Sequence, residues 1–358
     1  MQEAWFLKQD LIQIFSMQGP KYIIVIGASA GGLQAVTGLI AQVNTEMDAA
    51  IFVVLHTPHF AYADVITKRL QKNSVFTCKL AEHEETIQTK HLYFAVPDRH
   101  LILKTGRILL GQGPVENRWR PSIDVLFRSA AVAYNSRVIG VLLTGLLEDG
   151  TSGMRIIKEC GGTCIIQDPD EAEYPDMPQA ALRYVDVDYC TTLERIAIIL
   201  QEKTQNGVEA SHAIPEHIEK EAEIAERVSI GINNMEFLAG RRSAYSCPDC
   251  GGALWEIRDG RHLRFRCHTG HMYSSDELFK SKRKELEDTF WVALRILEER
   301  RNLLNKMAEE EGSKGWVKSS GSKQKRADEL ETHINRLKEI LFHSTDDPDP
   351  NSLEMDAK

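Results

Sequence analysis

The sequence lacks any long hydrophobic run. Nowhere do about 18 apolar residues follow one another, the length that a membrane-spanning helix needs. Residues 1–20 carry acidic and polar groups among their apolar ones, without the basic start and apolar stretch of a signal peptide. We therefore expect a cytoplasmic protein with no membrane insertion.

The sequence also has no excess of basic residues. Its 358 residues include 43 Lys and Arg against 52 Asp and Glu, a formal net charge of -9. Such a chain does not neutralise many phosphates, which argues against nucleic acid as a partner. The seven cysteines are an odd number in a chain without an export signal, which favours reduced thiols and metal ligation over disulfides.

Between residues 21 and 200, short β-branched runs alternate with helical patterns. This alternation is typical of βαβ units and predicts an α/β fold, a doubly wound, mostly parallel sheet with flanking helices. A short antiparallel hairpin attached to the sheet is predicted from Leu101–Leu103 and Arg107–Leu110 around a Lys-Thr-Gly turn. The clearest predicted strands are Tyr22–Ile26, Ile51–Leu55, Leu92–Ala95, Val138–Leu143 and Thr163–Gln167.

The remaining segments differ in composition from this domain. Residues 1–20 are interpreted as a tail, and residues 201–244, which are Glu-rich with few apolar positions, as a charged helical linker outside the main domain. Residues 245–275 form a Cys/His module, residues 276–343 a helical hairpin and residues 344–358 a disordered acidic tail. Within the hairpin, 312–325 is predicted as a flexible turn, and the apolar stripe of the first helix as Leu286, Phe290, Leu294, Leu297, Leu304 and Met307.

A glycine-rich turn follows the first predicted strand. Its sequence, Gly27-Ala-Ser-Ala-Gly-Gly32, fits G-x-S-x-G at a strand-to-helix turn, where small neighbours leave a serine hydroxyl exposed at a helix N-terminus. We interpret Ser29 as a nucleophile. The alternative is a turn that cradles phosphate, but the P-loop lysine is missing and the spacing does not match G-x-G-x-x-G.

Two further strand ends carry side chains that could act together with Ser29. His56 ends the second strand, and Glu148 and Asp149 follow the strand Val138–Leu143. Because the carboxyl ends of parallel strands lie along one edge of the sheet, a Ser-His-Asp arrangement is plausible, with His56 as general base. Asp149, or Glu148 in its place, would orient the imidazole, and backbone N–H groups at Ala30 and Leu146 would stabilise an oxyanion.

Four motifs along the chain resemble, in the same order, those of a known family. The glycine-rich turn, the His56 strand end, Glu116–Asp124 and Thr144–Gly150 resemble the catalytic domain of the chemotaxis protein-glutamate methylesterases (CheB-type). The resemblance covers about residues 21–200. It implies that these residues form a catalytic domain that hydrolyses glutamate methyl esters on chemoreceptor helices and releases methanol. The resemblance implies no cofactor for catalysis, and many members of the family also deamidate receptor glutamines.

The resemblance also bears on individual residues. It puts Ser29, His56 and Asp149 at the triad positions. It also puts Arg120 at the edge of the active site, where this side chain either contacts an acidic receptor surface or forms an exposed salt bridge. Standard members carry an N-terminal receiver domain, whereas about twenty residues precede the first strand here. The chain therefore resembles receiver-less members, and His59 is an alternative general base.

The Cys/His module has the spacing of a zinc ribbon. Cys247-x-x-Cys250 and Cys267-x-x-x-His271 flank a predicted hairpin around Asp259-Gly260 and supply four ligands for a structural Zn²⁺, with His268 as the substitute fourth ligand. A closed four-ligand site takes no part in hydrolysis. The other cysteines are predicted to be small buried residues: Cys78, Cys160, Cys164 and Cys190.

Two other functional classes remain as alternatives. The chain could be a scaffold on an inactive hydrolase fold, or a protein that binds phosphate or nucleotide at the glycine-rich turn. In the leading interpretation, the partners are methyl-accepting receptor helices as substrate and a signalling or array protein bound by the C-terminal module.

Overall fold

The computed structural model describes residues 19–56, 63–205, 207, 213–224, 240–259 and 262–344. Two compact units divide the chain at residue 278, one comprising residues 1–278 and the other residues 279–358. None of the described helices is long and apolar enough to cross a membrane. The predicted cytoplasmic location stays a prediction.

The first unit is built on a parallel sheet of seven strands in the order β3-β4-β2-β1-β7-β8-β9. All seven residues of β1 and of β2 are buried, because helices cover both faces of the sheet. The doubly wound α/β prediction is confirmed. The strands are β1 (Tyr22–Ala28), β2 (Ala49–Leu55), β3 (Thr77–Leu80), β4 (His91–Phe94), β7 (Val138–Leu142), β8 (Thr163–Gln167) and β9 (Tyr189–Thr191).

Alternate residues of the strands point into two hydrophobic cores, one on each face of the sheet. Along β1, Ile23 and Val25 point to one face and Ile24 and Ile26 to the other. The first face is covered by α3 (Ile123–Tyr134), α4 (Thr151–Glu159) and α5 (Asp176–Tyr184), and the second by α1 (Gly32–Ile40), α2 (Ala63–Asn73) and α6 (Leu193–Gln205).

The predicted hairpin is present but does not extend the main sheet. Its strands β5 (His100–Lys104) and β6 (Arg107–Gly111) form a separate two-stranded sheet. Leu101, Leu103 and Ile108 bury their side chains in the first core, so the hairpin packs on a face of the sheet. The predicted attachment to the sheet is therefore wrong.

A short helix lies within the segment interpreted as a linker. In α7 (Glu216–Ile224), Ile218 joins the first core and Ile224 contacts Ile257. Residues 216–224 therefore pack against the α/β domain, which the Glu-rich composition did not indicate.

The Cys/His module is a four-stranded antiparallel sheet, β10 (Arg241–Ser246), β11 (Ala253–Asp259), β12 (His262–Cys267) and β13 (Met272–Ser274). Strands β11 and β12 pair from Leu254–Cys267 to Asp259–His262, which confirms the predicted hairpin. Cys247, Leu254, Phe265, Cys267 and Tyr273 form its small core.

The second unit is an antiparallel pair of helices, formed by α8 (Ser275–Ser313) from residue 279 onward and α9 (Val317–Ser344). Phe290, Leu294, Leu297, Ile334, Leu337 and Leu341 pack between them. Only residues 314–316 separate the helices, so the predicted flexible turn over 312–325 is wrong. Leu286 and Met307 are exposed, contrary to the predicted stripe.

Candidate functional site

The candidate site lies at the carboxyl edge of three adjacent strands. Ser29 follows β1, His56 follows β2, and Asp149 lies in the loop after β7, and the order in the sheet is β2-β1-β7. Backbone hydrogen bonds continue the pairing past the strand ends, from His56 N to Ala28 O at 3.1 Å and from Ser29 N to Thr144 O at 3.0 Å. The sheet therefore sets the separation of these three side chains.

The side chains of Ser29, His56 and Asp149 are in contact. His56 Nδ1 lies 3.3 Å from Ser29 Oγ, and His56 Nε2 lies 3.0 Å from Asp149 Oδ2. The second distance is within hydrogen-bond range, although the N–H at Nε2 does not point directly at the carboxylate oxygen. His56 is 8% exposed and Asp149 2%, whereas Ser29 is half-buried and faces solvent more than its partners.

The turn that carries Ser29 packs so closely against the residues around it that glycine is required at neighbouring positions. A Cβ atom at Gly145 would lie 2.8 Å from the Cβ of Ser29 and 2.4 Å from the sulfur of Met177. Gly31, which precedes α1, has a φ of 71°, a left-handed conformation that suits a residue without Cβ. These contacts explain the small residues around Ser29.

Several donors converge on the carboxylate of Asp149. Its oxygens accept hydrogen bonds from Ser122 Oγ at 2.9 Å, from Ile123 N at 2.7 Å and from Asn117 Nδ2 at 3.0 Å. Burial raises the pKa of Asp149, but His56, Asn117 and the Ile123 N–H outweigh burial and lower it below the ordinary value. Asp149 is therefore held as a carboxylate beside the imidazole.

A second carboxyl group lies next to Asp149. Asn117 Nδ2 donates to Asp124 Oδ2 at 2.8 Å as well as to Asp149, and Gly153 N donates to Asp124 Oδ1 at 2.6 Å. Burial and the charge of Asp149 raise the pKa of Asp124 to about 7, against the lowering effect of the Gly153 N–H. The two carboxyls therefore titrate as a coupled pair.

The tight turn 116–119, here called the active-site turn, was not assigned a role by sequence reasoning. Trp119 stacks on His56, with ring centroids 4.0 Å apart and ring planes at 7°. Asn117 and Arg118 have φ values of 48° and 67°. Left-handed conformation at residues other than glycine costs on the order of 1–3 kcal/mol each, so surrounding contacts must hold this turn. The available signal was the place of this turn within Glu116–Asp124, one of the motifs of the family resemblance.

Arg120 is engaged in an ion pair. Its Nε and Nη2 atoms contact Asp98 Oδ1, the former at 2.8 Å, and Nη1 donates to Gly113 O at 2.9 Å. This geometry favours the salt-bridge alternative for Arg120 over a free receptor contact.

The other predicted residues occupy varied positions. Ala30 lies next to Ser29 in the turn, where its carbonyl accepts a hydrogen bond from Thr144 Oγ at 3.1 Å, and Leu146 is 45% exposed. Glu148, the alternative to Asp149, lies 3.5 Å from His262 Nε2 instead. His59 falls outside the described residues.

A candidate metal centre lies in the Cys/His module. One ligand atom each from Cys247, Cys250, Cys267 and His271 lies within 4.8 Å of all the others. The Cys250 and Cys267 sulfurs are 3.7 Å apart, and His271 Nδ1 lies 3.5 Å from Cys267 Sγ. A tetrahedron with metal–sulfur distances of about 2.3 Å has ligand separations of about 3.7 Å, so these residues fit Zn²⁺.

Hydrogen bonds activate one of the thiols. Hydrogen bonds from Cys267, the largest contribution, and from His271 and Tyr273 lower the pKa of Cys247 against the effect of burial, which favours the thiolate form that binds metal. Tyr273 Oη donates to Asp249 Oδ2 at 2.6 Å and lies 3.2 Å from Cys247 Sγ. Among the four cysteines of the α/β domain, Cys160 and Cys164 are buried as predicted, but Cys190 is exposed and Cys78 half-buried.

Comparison with known proteins gives a consistent family. The family model described as CheB methylesterase matches residues 24–200. A putative protein-glutamate methylesterase/protein-glutamine glutaminase of Leptospira interrogans (serovar copenhageni) is 37% identical over 187 residues, which are 52% of this chain and 96% of the relative.

Two further similarities concern a second relative and a solved structure. A protein-glutamate methylesterase/protein-glutamine glutaminase of Photorhabdus laumondii is 34% identical over 189 residues, 52% of this chain and 53% of that protein. The crystal structure of the Thermotoga maritima CheB methylesterase catalytic domain is 32% identical, with a TM-score of 0.49, and the match covers 52% of this chain and 98% of that one.

Proposed function

The chain belongs to the CheB methylesterase family, and from this premise we propose that it hydrolyses glutamate methyl esters on chemoreceptors. The observation that carries the proposal is the contact of Ser29, His56 and Asp149 at the ends of three neighbouring strands. Relatives that carry this activity in their names also carry glutaminase, so we include deamidation of receptor glutamines in the proposed function.

The proposed reaction begins with the proton of Ser29 Oγ. In the tautomer with its proton on Nε2, His56 accepts the Ser29 proton at Nδ1 while Oγ attacks the ester carbonyl carbon. The negative charge of Asp149 beside Nε2 stabilises the imidazolium that forms. We assign the stabilisation of the oxyanion to the backbone N–H groups of Ala30 and Leu146.

The tetrahedral intermediate then breaks down in the ordinary way of a serine esterase. His56 passes its proton to the leaving oxygen, the carbon–oxygen bond breaks and methanol departs, leaving an acyl group on Ser29. Water attacks the acyl carbon while His56 takes one of its protons, His56 then returns this proton to Oγ as the bond to Ser29 breaks, and the product glutamate is released and ionises to its carboxylate. An amide follows the same steps with ammonia as the leaving group.

The experiment measures methanol release from methylated receptor by the wild type and by Ser29→Ala. The matched control is Ser322→Ala, because Ser322 is exposed on α9 and belongs to the second compact unit. We expect Ser29→Ala to lose the activity by at least about 1,000-fold, as when a triad nucleophile is removed, and Ser322→Ala to retain it. Methanol release that persists in Ser29→Ala would contradict the assignment.

We further propose that Cys247, Cys250, Cys267 and His271 hold one structural Zn²⁺. The fit of the four ligand atoms supports this proposal, and a closed set of four ligands supplies folding energy and no open position for chemistry. Metal analysis should find about one zinc per chain in the wild type. Cys250→Ser should lose it, whereas Cys190→Ser, at an exposed cysteine outside the cluster, should keep it.

The helical unit is our proposed binding region for a signalling or array protein. Several large apolar side chains on α8 are exposed, among them Trp291, Ile296 and Leu303. Deletion of residues 279–358 removes a compact unit as a whole. If cellular demethylation and the set of co-purifying proteins do not change on this deletion, the proposed partner binding is wrong.

A further inference from the structure

Five charged side chains form a buried cluster where the Cys/His module meets the α/β domain. Glu116 belongs to the active-site turn, Arg128 to α3 and Glu221 to α7, while Arg264 and Arg266 come from β12. Each of the five is at most 3% exposed. The carboxylates are shared among the three guanidinium groups, so the cluster ties four separate segments together.

Arg266 makes a side-chain contact between the module and the active-site turn. Its Nη1 donates to Glu116 Oε1 at 2.9 Å and its Nη2 to Glu221 Oε1 at 3.1 Å, while Arg128 Nη2 donates to Glu116 Oε2 at 2.9 Å. Burial raises the pKa of Glu116, but Arg128 and Arg266 outweigh it and lower the pKa, so Glu116 stays charged. A buried charge of this kind is held firmly in place by its partners.

A backbone contact fixes the same turn from β13. Asn117 N donates to Met272 O at 2.9 Å, and within the turn Trp119 N donates to Glu116 O at 2.9 Å. The turn needs external support because Asn117 and Arg118 are both in left-handed conformation. The module supplies this support through one side chain and one backbone carbonyl.

The groups that contact the turn are neighbours of the candidate metal ligands. Arg266 precedes Cys267, and Met272 follows His271. Within this loop Cys267 N donates to His271 O at 3.0 Å and Arg266 Nη1 donates to Gly270 O at 3.0 Å. The segment 266–272 therefore carries two of the candidate metal ligands and, directly beside them, the two groups that contact the active-site turn.

We propose that the Cys/His module positions the active-site turn, and that its metal-dependent folding thereby sets the reactivity of Ser29. Arg266 and the β13 backbone are positioning groups, which act through Asn117 on Asp149 and through Trp119 on His56. The inference rests on the proposed function for the role of Ser29. Structural zinc sites fold only with metal, so loss of the metal releases the turn and disorders both contacts to the triad.

The test variant is Arg266→Met, which keeps the length and apolar stem of the side chain but removes its contacts to Glu116. Arg242→Met is the matched control, because Arg242 lies on β10 of the same module and is exposed. The readout is the rate at which a fluorophosphonate modifies Ser29. In that step Oγ bonds to phosphorus, fluoride leaves, and the serine proton passes to His56.

We expect Arg266→Met to label about 10- to 100-fold more slowly than the wild type, the range expected for displaced catalytic groups. The control should label within about twofold of wild type, since surface substitutions are nearly neutral. Chelation of metal from the wild-type chain should cause the same loss, and Zn²⁺ should reverse it. Arg266→Lys, which keeps the charge near Glu116, should restore part of the rate even if Arg266→Met folds poorly.

Fluorescence of Trp119 gives a readout that general stability does not move. An imidazole stacked on an indole changes the emission of the indole, so the difference in emission between wild type and Trp119→Phe reports the contact of Trp119 with His56. We expect the same difference spectrum in the zinc-loaded wild type and in Arg242→Met. It should be lost in Arg266→Met and in the chelated protein.

The outcomes separate this inference from the proposed function, since labelling needs no receptor. If Arg266→Met and the chelated protein label at the wild-type rate and keep the difference spectrum of Trp119, the positioning role is refuted. A wild type that labels but releases no methanol contradicts the proposed substrate and leaves the positioning role intact. A wild type that does not label overturns both.

Discussion

Replacing Asn117 tests the link between the active-site turn and the triad most directly. The substitution Asn117→Gly keeps the left-handed backbone without strain and removes only the amide that donates to Asp149 at 3.0 Å and to Asp124 at 2.8 Å. A hydrogen bond to a charged group contributes about 1.5–3 kcal/mol. Asp149 would keep its donors Ser122 and Ile123.

Only part of this free energy bears on the rate. The carboxylate of Asp149 is charged both before and after His56 takes the proton, so the amide changes the barrier only as far as it holds the carboxylate in place. About half of the bond energy, roughly 0.75–1.5 kcal/mol, corresponds to a fall in kcat of about 4- to 13-fold. We expect a loss of kcat in this range, with a KM within about twofold of the wild-type value.

The pH dependence should change in a defined direction. Asn117 helps to lower the pKa of Asp149, and the carboxylate is lost as the pH falls through that value. Without the amide this pKa rises, so the decline of activity on the acid side should begin at a higher pH than in the wild type.

The assay is methanol release from methylated receptor between pH 3 and pH 9, so that the acid side of the profile reaches below the ordinary pKa of an aspartate. Asn135→Gly serves as the control, because Asn135 also has a left-handed φ, of 55°, at the end of α3. If Asn117→Gly folds normally and matches Asn135→Gly in kcat and in the acid limb, the turn does not support the triad and the reasoning fails.

Three further predictions concern other parts of the chain. Burial and Asp149 raise the pKa of Asp124 to about 7, so the proton on Asp124 stabilises the folded state at low pH and this stabilisation is lost as the pH rises through 7. Between pH 5 and pH 8 the free energy of unfolding of the wild type should therefore fall by a few kcal/mol relative to Asp124→Asn in denaturant titrations, and parallel curves would contradict the shift. Trp119→Ala should lower kcat by about three- to tenfold because the ring stacked on His56 is lost, while Trp119→Phe keeps most of the rate; equal rates for both variants would exclude a role for stacking. In the helical unit, Ile334→Ala should lower the free energy of unfolding by about 2–5 kcal/mol, and the exposed Ile340→Ala by less than about 0.5 kcal/mol, as measured by helix circular dichroism in urea; similar losses would contradict the packing of α9.

The fold of the first half could be predicted from sequence because its signals are local. The strands β1, β2, β7 and β8 are continuous β-branched runs that are buried on both faces. The edge strands β3 and β9 have no such runs, and most of their residues are partly exposed. Their pairing depends on neighbours that are distant in sequence.

Helix ends and linker contacts were harder to predict. The segment 312–325 is rich in Gly, Ser and Lys, yet α9 begins at Val317, since packing against α8 overrides weak helix propensity. In α7, the Glu-rich composition favours a solvent-exposed Glu221. Three arginines that pair with it bury it, and no local pattern reveals such partners.

The sequence by itself determined the strand-to-helix serine turn, the histidine at the second strand end, and the spacing of the four Cys/His ligands. These features depend on bonds and periodicities within a few residues. Only the tertiary structure decided that Asp149 faces His56 while Glu148 faces His262, that Trp119 covers the imidazole, and that the Cys/His module supports the active-site turn. Those contacts join residues up to 150 positions apart, and their formation depends on how the whole unit packs.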